Sequence, residues 1–441
     1  MDSETHTPPD VAPSPDAAAA TPSTGLTRRA VLKYGLAAAA AAGGGGAILW
    51  HLLRGVAHQP AETGVFTADG PDEKLWQLWT QRGWVKEASH YVKVGRNVMC
   101  QLCPNCCILA PGDRSHCRNK VNRGGVLYTM AYANPCAVNV DPVEKKPLFH
   151  FLPGSRTLSL ATSGCVFRCL NCQNWDISQR KPEETKDARG PELRLQPVVS
   201  SLRPQDIERL SLFPADAAAM AQALGCPSIS YTYSEPIAYF EYARDTAQAA
   251  RAKGVKNILV TCGSFEQASL RDIGQYVDAA HVDLKGFDEE VYRKLNSGRL
   301  QPVLNTLRTM RELGLWVEVV NLVVPTYTDK QEVIRRMCGW LADNLGPDCP
   351  LHFSRFMPMH KLTYLPPTPL ETLLEARQQA LAAGLHYVYV GNVPGTPDVE
   401  NTFCPNCHKV VVERDAYAVL GVSIEAGRCK FCHTIIPGVW T

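Results

Sequence analysis

The sequence predicts an α/β protein whose core is a partial parallel (β/α) barrel, with a cysteine-rich module before it and a small cysteine ribbon after it. Apolar, β-branched runs of about five to seven residues alternate with stretches of helical periodicity, the pattern of repeated strand–helix units. Two helical stretches end at Gly254 and Gly314, directly before the next strand, as helix C-terminal signals should. The chain also has 17 cysteines, most of them in short clusters.

The alternation can be followed element by element. The predicted strands cover 157–162, 228–233, 257–262, 280–284, 316–322, 351–356 and 387–390. The predicted helices cover 216–224, 238–253, 266–276, 303–313, 330–345 and 370–383. Six or seven strands, rather than the eight of a closed barrel, favour an incomplete one. The polar, proline-containing stretch 181–213 is expected to be an insertion or loop.

The order of these segments predicts five parts. They are a leader over 1–57, a linker over 58–98, a cysteine-rich module with its connector over 99–150, the partial barrel over 151–398 and the ribbon over 399–441. Lys and Arg number 45 and Asp and Glu number 43, a formal net charge of +2. Such a balance gives no electrostatic case for nucleic-acid binding.

The leader predicts export. Residues 1–26 are rich in Ala, Pro, Ser and Thr and are expected to be disordered. T-R-R-A-V-L-K at 27–33 precedes a weakly apolar Ala/Gly run and resembles a twin-arginine signal. That run is a poor membrane span by itself. We expect export, or attachment to a membrane through this leader; the alternative is a basic leader on a cytoplasmic protein.

Three cysteines, Cys165, Cys169 and Cys172, follow the first predicted strand at C-x3-C-x2-C spacing. Because a closed site usually takes four protein ligands, three thiolates can hold three irons of a [4Fe–4S] cluster and leave one iron open. The alternatives are unrelated buried thiols or part of a zinc site. The spacing resembles that of the radical S-adenosylmethionine (SAM) superfamily. The resemblance implies that SAM chelates the open iron and that one electron splits it into methionine and a 5′-deoxyadenosyl radical.

Further candidates lie where predicted strands end, the reactive edge of a parallel barrel. Ser234 and Glu235, in S-E-P, resemble a family motif that holds the SAM ammonium; alternatively, Glu235 caps the following helix. Asp283 and Lys285 share one face of a strand. Resemblance to pyruvate formate-lyase activating enzymes implies a cation site and a SAM contact there, the alternative being an internal ion pair. Asn392 is expected near the adenine of SAM.

Two positions depart from the family pattern. Asn171 stands where the usual motif has an aromatic residue that packs on adenine, and Trp175 is a candidate replacement. Cys262 stands where relatives tend to have asparagine. Neither change touches the three cluster cysteines.

The C-terminal segment has two C-x2-C pairs. A unit of roughly 40 residues cannot stabilise itself by apolar burial. Structural zinc contributes on the order of 10–16 kcal/mol, whereas two disulfides would give about 2–4 kcal/mol each. The pattern therefore predicts a zinc ribbon with four ligands, Cys404, Cys407, Cys429 and Cys432.

Five further cysteines lie within 100–117. Cys100, Cys103, Cys107 and Cys117 fit a tetrathiolate site, which leaves Cys106 as a spare. Because zinc and iron–sulfur clusters both accept four thiolates, the spacing allows either zinc or a second cluster that relays electrons. Disulfides in an oxidising compartment are a third option.

From Cys100 to Thr441 the chain is similar to the AmmeMemoRadiSam system radical SAM enzymes. The shared landmarks include C-x-L-C-P at Cys100, C-Q-N-W-D-I-S-Q at Cys172, V-D-L-K-G-F at Val282 and the terminal I-P-G-V-W. The resemblance implies a radical SAM fold and an activase-like enzyme that takes hydrogen from a substrate such as a protein glycine. It would draw electrons from a donor such as flavodoxin or ferredoxin. The alternative functions are a non-catalytic iron–sulfur electron carrier that docks partners through its ribbon and a zinc-ribbon nucleic-acid binder, which the balanced charge disfavours.

Overall fold

An eight-stranded sheet forms the centre of the protein. The structure is a computed structural model that describes residues 68–194 and 204–441, so the predicted leader lies outside the described residues. The strands of the sheet are β1 (Ala137–Pro142), β2 (Arg156–Ala161), β3 (Ser228–Tyr231), β4 (Lys256–Thr261), β5 (Ala279–Asp283), β6 (Trp316–Val323), β7 (Leu351–Arg355) and β8 (Val388–Gly391).

The strands lie side by side in chain order from β1 to β8. Strand β1 pairs antiparallel with β2, and the other seven strands run parallel. Within the described residues the two edge strands do not pair with each other, so the sheet is open. The seven parallel strands match the seven predicted ones within two residues at each end.

Helices connect the parallel strands, as predicted. Their bounds are Pro214–Ala223, Phe240–Ala252, Gln267–Gly274, Leu300–Glu312, Gln331–Leu345 and Leu370–Ala382. Gly254 and Gly314 have φ values of 70° and 74°, a left-handed conformation that stops a helix without steric cost. One continuous apolar core packs these helices against the sheet.

Two regions are more structured than the sequence indicates. Strand β1, inside the predicted connector, is paired with β2 along its whole length. The stretch expected to be an insertion or loop contains Pro182–Glu184, Leu193–Arg194, Pro204–Arg209 and Leu210–Ser211 as short regular elements. Part of that stretch, 195–203, lies outside the described residues.

Residues 68–98, placed in a linker by the sequence, are folded together with the cysteine-rich module. The helix Glu73–Gln81 is capped by Asp72, and Trp79 and Trp84 are fully buried with ring centroids 5.2 Å apart. The strands of this region form a five-stranded and a three-stranded sheet. They are Ala68–Asp69, Lys86–Glu87, Tyr91–Val94, Asn97–Cys100, Ile108–Leu109, Asp113–Arg114, Lys120–Arg123 and Val126–Thr129.

The C-terminal segment forms a small β unit at one end of the sheet. Its strands are Thr402–Phe403, Val410–Asp415, Ala418–Val422, Ile424–Glu425 and Arg428–Cys429. It packs on Phe149, Tyr387 and Tyr389. Tyr387 directly precedes β8, so the unit sits by the amino-terminal ends of the parallel strands. Across the two described ranges, none of the helices has the length and apolarity that a membrane crossing requires.

Candidate active site

The three cysteines of the predicted cluster site lie in one loop just after the carboxyl end of β2. Each sulfur has a polar neighbour from the protein. The backbone N–H of Phe167 donates to Cys165 Sγ at 3.3 Å, and Asn296 Nδ2 donates to Cys169 Sγ at 3.3 Å. Cys172 Sγ lies 3.0 Å from the hydroxyl of Ser178. Such contacts orient sulfur ligands and moderate their charge.

Electrostatics at this loop favour the anionic, thiolate form of its cysteines. Burial raises the pKa of the Cys165 thiol well above its usual range, and that of Cys169 to about 11. A buried thiol of this kind becomes a thiolate only beside positive charge. Lys285 acts on Cys169, and Arg118 and Arg168 both act on Cys165. The site therefore has three cations around its sulfur ligands.

The sulfurs of the loop are too far apart to share a single ion. Among the described residues, one group brings three or more ligand atoms within 4.8 Å of one another, and it is the C-terminal cysteines. Around one zinc ion, sulfurs bound at about 2.3 Å would lie about 3.8 Å apart. The wider spacing fits ligands on different irons of a cluster, so the residues fit the predicted [4Fe–4S] group better than zinc.

Glu235 lies buried beside the loop and caps the turn that follows it. Its Oε1 accepts hydrogen bonds from Thr261 Oγ1 at 2.6 Å and from the N–H of Ile237 at 3.3 Å. Its Oε2 accepts one from the N–H of Cys262 at 2.8 Å. Burial raises the pKa of Glu235, and its charge acts on the Cys165 thiol. The same carboxylate therefore caps the turn and lies close to the cluster loop.

Ser234 turns away from solvent. Its hydroxyl donates to the carbonyl of Thr162 at 2.5 Å, and its N–H donates to the carbonyl of Thr232 at 2.8 Å. The side chain therefore fastens the end of β3 to the start of the cysteine loop.

Asp283 and Lys285 form the ion pair that their shared face allows. Lys285 Nζ lies 3.0 Å from Asp283 Oδ2, and His281 Nε2 lies 3.1 Å from Asp283 Oδ1. Burial alone would raise the pKa of Asp283, but Lys285 and His281 bring it below its usual value. Burial would likewise lower the pKa of Lys285, yet Asp283, Cys169 and Cys262 hold it well above its usual value. Both groups are therefore charged at neutral pH, and Lys285 also faces the cluster loop.

Three residues bear on the predicted adenine end of SAM: Asn392, the candidate replacement Trp175, and Asn171, which departs from the family pattern. Asn392, exposed just after β8, donates to Ser354 Oγ at 2.9 Å. Trp175 is 40% exposed and stacks on His360 with ring centroids 5.4 Å apart. The side-chain oxygen of Asn171 is buried, and no described residue donates to it.

Sequence reasoning missed several of the supporting residues. His281 has a signal, because it lies two positions before Asp283 on the same face of β5. Asn296 has none, since it reaches Cys169 from a π-turn, Tyr292–Asn296. Arg168 lies inside the cysteine loop, directly before Cys169, whereas Arg118 comes from a separate loop and reaches the cysteines only in the folded chain.

The four C-terminal cysteines come together as a compact tetrathiol group. All their sulfurs lie within 4.8 Å of one another. Cys404 Sγ is 3.5 Å from Cys432 Sγ, and Cys407 Sγ is 3.7 Å from Cys429 Sγ. These separations are close to the edge of about 3.8 Å expected of a tetrahedral zinc–sulfur site. The group is compatible with a metal-binding ribbon.

The N-terminal cysteines are also brought together. The four residues of the predicted tetrathiolate site line one buried cavity, whereas Cys106 does not. They are Cys100, Cys103, Cys107 and Cys117. Of the cysteines without a motif, Cys226, Cys338 and Cys349 are buried and Cys136 is partly buried.

Comparisons with known proteins bear on this arrangement. The family model of the radical SAM superfamily matches residues 159–338, the range that contains the cysteine loop, Glu235 and Lys285. Uncharacterized protein MJ0808 of Methanocaldococcus jannaschii is 42% identical over 351 residues, 79% of this chain and 98% of that protein. A pyruvate formate-lyase-activating enzyme of Clostridium pasteurianum is 22% identical over 187 residues, 42% of this chain and 69% of that enzyme.

Among solved structures, a radical SAM methyltransferase from Sphaerobacter thermophilus is 13% identical and covers 73% of this chain and 81% of its own, with a TM-score of 0.40. The family model covers the cysteine loop, and MJ0808 matches along nearly its whole length. Membership implies a [4Fe–4S] cluster, SAM binding and an enzyme of the radical SAM type. The chain belongs to the radical SAM superfamily.

Proposed function

We propose that this protein is an oxidoreductase that reductively cleaves SAM at a [4Fe–4S] cluster held by Cys165, Cys169 and Cys172. The observation that carries the proposal is the loop with one buried and two partly buried thiols beside Glu235 and Lys285, at the carboxyl edge of the parallel strands. When bound, the cluster supplies the electron that splits SAM into methionine and a 5′-deoxyadenosyl radical, which abstracts hydrogen from the substrate.

The charged residues of the edge have complementary roles toward SAM. Glu235 offers a buried carboxylate to the SAM ammonium, where a charge-assisted hydrogen bond is strong because water is excluded. Lys285 is positioned to meet the SAM carboxylate, since its ammonium already lies near Cys169. Asp283 holds that ammonium in place and is the candidate for a cation site. Two further contacts complete the proposal. The backbone at Ser234 would meet the SAM ammonium, and the side chain of Asn392 would meet the adenine.

The proposal also includes the shape of the sheet, the metal of the C-terminal cysteines, the electron donor, the substrate and the location of the protein. The open sheet would curve as a partial barrel around SAM, and the C-terminal tetrathiol group would hold structural zinc. A low-potential donor such as flavodoxin or ferredoxin would deliver the electron. The similarity to activating enzymes supports a protein glycine as the hydrogen donor. The predicted twin-arginine signal supports export or membrane attachment.

One assay tests the proposal. The protein is reconstituted anaerobically with iron and sulfide, reduced with dithionite and incubated with SAM, and 5′-deoxyadenosine is measured. We expect its formation in the wild type and its loss in Cys169→Ala, with zinc retained by the C-terminal cysteines. Cys106→Ala is the matched control and should still cleave SAM. A fully loaded protein that forms no 5′-deoxyadenosine would contradict the proposal and favour an electron carrier.

A further inference from the structure

A buried cavity outside the SAM site is lined by four thiols. Its walls are made by Cys100, Cys103, Cys107 and Cys117, together with apolar and polar neighbours that include Val166, Ile237 and Lys120. Each of the four cysteines is at most 8% exposed. Cys100 ends the strand Asn97–Cys100 and the other three lie in loops, so the fold gathers the four from an 18-residue stretch of chain.

The spacing of these sulfurs differs from that of the C-terminal group. In the C-terminal group all four sulfurs lie within 4.8 Å, as one tetrahedral ion requires. In the described chain no three ligand atoms of the N-terminal set meet that limit. Four buried thiols whose sulfurs are spread more widely than they would be around one ion suit a group in which each thiolate binds a different metal atom. A cubic cluster, with each thiolate on a different iron, is such a group.

The cavity needs a cationic occupant. Four polar thiols buried side by side are energetically unfavourable unless they bind a ligand. Lys120, whose ammonium is ion-paired with the buried carboxylate of Glu241, lines the same cavity.

The cavity and the SAM cluster loop share a wall. Val166, which follows Cys165, lines the cavity, and Asn105 Nδ2 donates to its carbonyl at 3.0 Å. Gly164 (φ 93°) lies so close to this module that a Cβ there would sit 2.5 Å from the carbonyl oxygen of Cys117. Arg118 acts on sulfurs of both sites. Because electron tunnelling falls steeply with distance, this adjacency suits a relay.

We propose that Cys100, Cys103, Cys107 and Cys117 hold a second [4Fe–4S] cluster that passes electrons to the cluster at Cys165, Cys169 and Cys172. The relay rests on the proposed function of that loop, whereas the second cluster does not. The step balances as one electron. A low-potential protein donor reduces the second cluster from the 2+ to the 1+ state, and the second cluster returns to 2+ when it reduces the first. No proton is transferred, and no covalent bond forms or breaks.

The first experiment counts metals in full-length chains after anaerobic reconstitution. The triple variant Cys165→Ala/Cys169→Ala/Cys172→Ala should keep about four irons and four sulfides and, when reduced, a [4Fe–4S] electron paramagnetic resonance signal that SAM does not change. It should also contain one zinc. Two zinc ions and no iron would overturn the proposal in favour of a second zinc site. Loss of both metals with disulfides present would overturn it too.

The reciprocal variant guards against misfolding. Cys103→Ala/Cys107→Ala should lose about four irons and keep a signal that SAM perturbs, which shows that the other cluster site is intact. Cys106→Ala is the matched control, because its sulfur contacts the carbonyl of Cys103 and does not line the cavity. That variant should keep both clusters. Unchanged iron in the double variant would refute the assignment.

A kinetic experiment tests the relay. Reduced flavodoxin is mixed with each variant, and reduction of the SAM-responsive cluster is followed by rapid-freeze spectroscopy. We expect at least a tenfold slower reduction in Cys103→Ala/Cys107→Ala than in Cys106→Ala, with equal reduction of both by dithionite. Equal rates with flavodoxin would overturn the relay. If the metal counts hold but the SAM-perturbed signal is missing in every variant, the proposed function fails and the second cluster stands.

Discussion

At the scale of single residues, Glu235 is the side chain on which most depends. Its carboxylate accepts three hydrogen bonds that tie β3 to the end of β4, and it stays buried beside Cys165. A buried carboxylate with this many donors is fixed in position, so it meets a ligand ammonium without reorganisation. The structural and ligand-binding explanations of this residue are compatible with each other.

Replacing Glu235 by glutamine tests the ligand role. The variant keeps the size and one acceptor oxygen but removes the charge, and a hydrogen bond to a charged group contributes about 1.5–3 kcal/mol. We expect the dissociation constant for SAM to rise by roughly ten- to a hundredfold, with iron content unchanged. Isothermal titration under anaerobic conditions measures it. Glu290→Gln, an exposed residue paired with Lys294, is the control. Unchanged affinity in Glu235→Gln would leave only the capping role.

The ion pair between Asp283 and Lys285 allows a second test. Lys285→Met keeps the aliphatic stem and removes the ammonium near Cys169. We expect SAM affinity to fall by about tenfold or more, because the SAM carboxylate loses its partner. The pKa of Asp283 should also rise, since Lys285 is the first of the groups that lower it.

Lys294→Met, on an exposed helix surface, is the matched control for affinity. Unchanged SAM affinity in Lys285→Met would mean that the ion pair has a structural role only and does not bind SAM. In that case only the stability of the chain should change.

At the scale of elements, Glu318 of β6 joins the sheet to the connector. Fully buried, it accepts hydrogen bonds from the N–H groups of Phe149 at 3.0 Å and His150 at 2.8 Å. It also contacts His352 Nε2 at 2.7 Å. Burial opposes its ionisation, but His352, His150 and the N–H of Phe149 lower its pKa to about 2.

Glu318→Gln should destabilise the protein by about 3 kcal/mol, because a buried network loses its charge. The folded-state pKa lies below the unfolded value of about 4.3, so the charge of Glu318 stabilises the protein above that pH. The stabilisation is lost as the pH falls towards 2. The difference between wild type and variant should therefore be constant from pH 5 to 8 and shrink below pH 4. Urea unfolding of both proteins at matched pH measures this difference in the free energy of unfolding. A difference that grew at acidic pH would contradict this explanation.

The elements were predictable to different degrees, for physical reasons. Periodicity and β-branched runs gave the parallel strands and their helices, since burial on both faces leaves a clear pattern. Strand β1 was missed because its sequence, A-V-N-V-D-P, mixes exposed and charged residues and its order comes from pairing with β2. The helix Glu73–Gln81 was missed because its segment was assigned to a polar linker, and the burial of Trp79 depends on tertiary contacts.

The candidate site was predictable where ligand spacing is local. Cys165, Cys169 and Cys172 lie in one loop, so their spacing was sufficient. Support from Asn296, Arg118 and the N-terminal module depends on long-range folding, which no local pattern records.

At the scale of the whole molecule, the ribbon and the cluster loop lie at opposite ends of the sheet. The loop follows the carboxyl end of β2, whereas the ribbon packs on residues before β8. Arg414 fixes the ribbon there, with a hydrogen bond of 2.6 Å to the carbonyl of Phe149 and its guanidinium 4.2 Å from that ring centroid. The position favours a structural role for the ribbon over one in SAM chemistry.

Removing the metal of the ribbon tests that role. Zinc binding on the order of 10–16 kcal/mol exceeds the stability of a unit this small, so Cys432→Ser should unfold it. We expect faster hydrogen exchange over 399–441 and around Phe149, with the SAM cluster retained. Exchange mass spectrometry with a Cys226→Ser control measures it. Unchanged protection of 399–441 would show that the ribbon is stable without metal.

Export is tested on cells that produce the full chain. A twin-arginine signal requires its paired arginines, so Arg28→Lys/Arg29→Lys should keep the protein inside, where protease added to intact spheroplasts does not reach it. The unaltered chain should be digested under the same conditions. Equal protection of both would favour a cytoplasmic protein.

The bridge between Phe151 and Val439 has a consequence for biosynthesis. Next to it, His150 is held by the carbonyl of Pro437, 287 positions later in the chain. During translation the segment that precedes β2 must wait for these late residues before its packing is complete. The attachment of this segment to the C-terminal unit is therefore a step of the finished polypeptide. A translocase that carries folded cargo would act after this step, whereas one that threads unfolded chains would act before it.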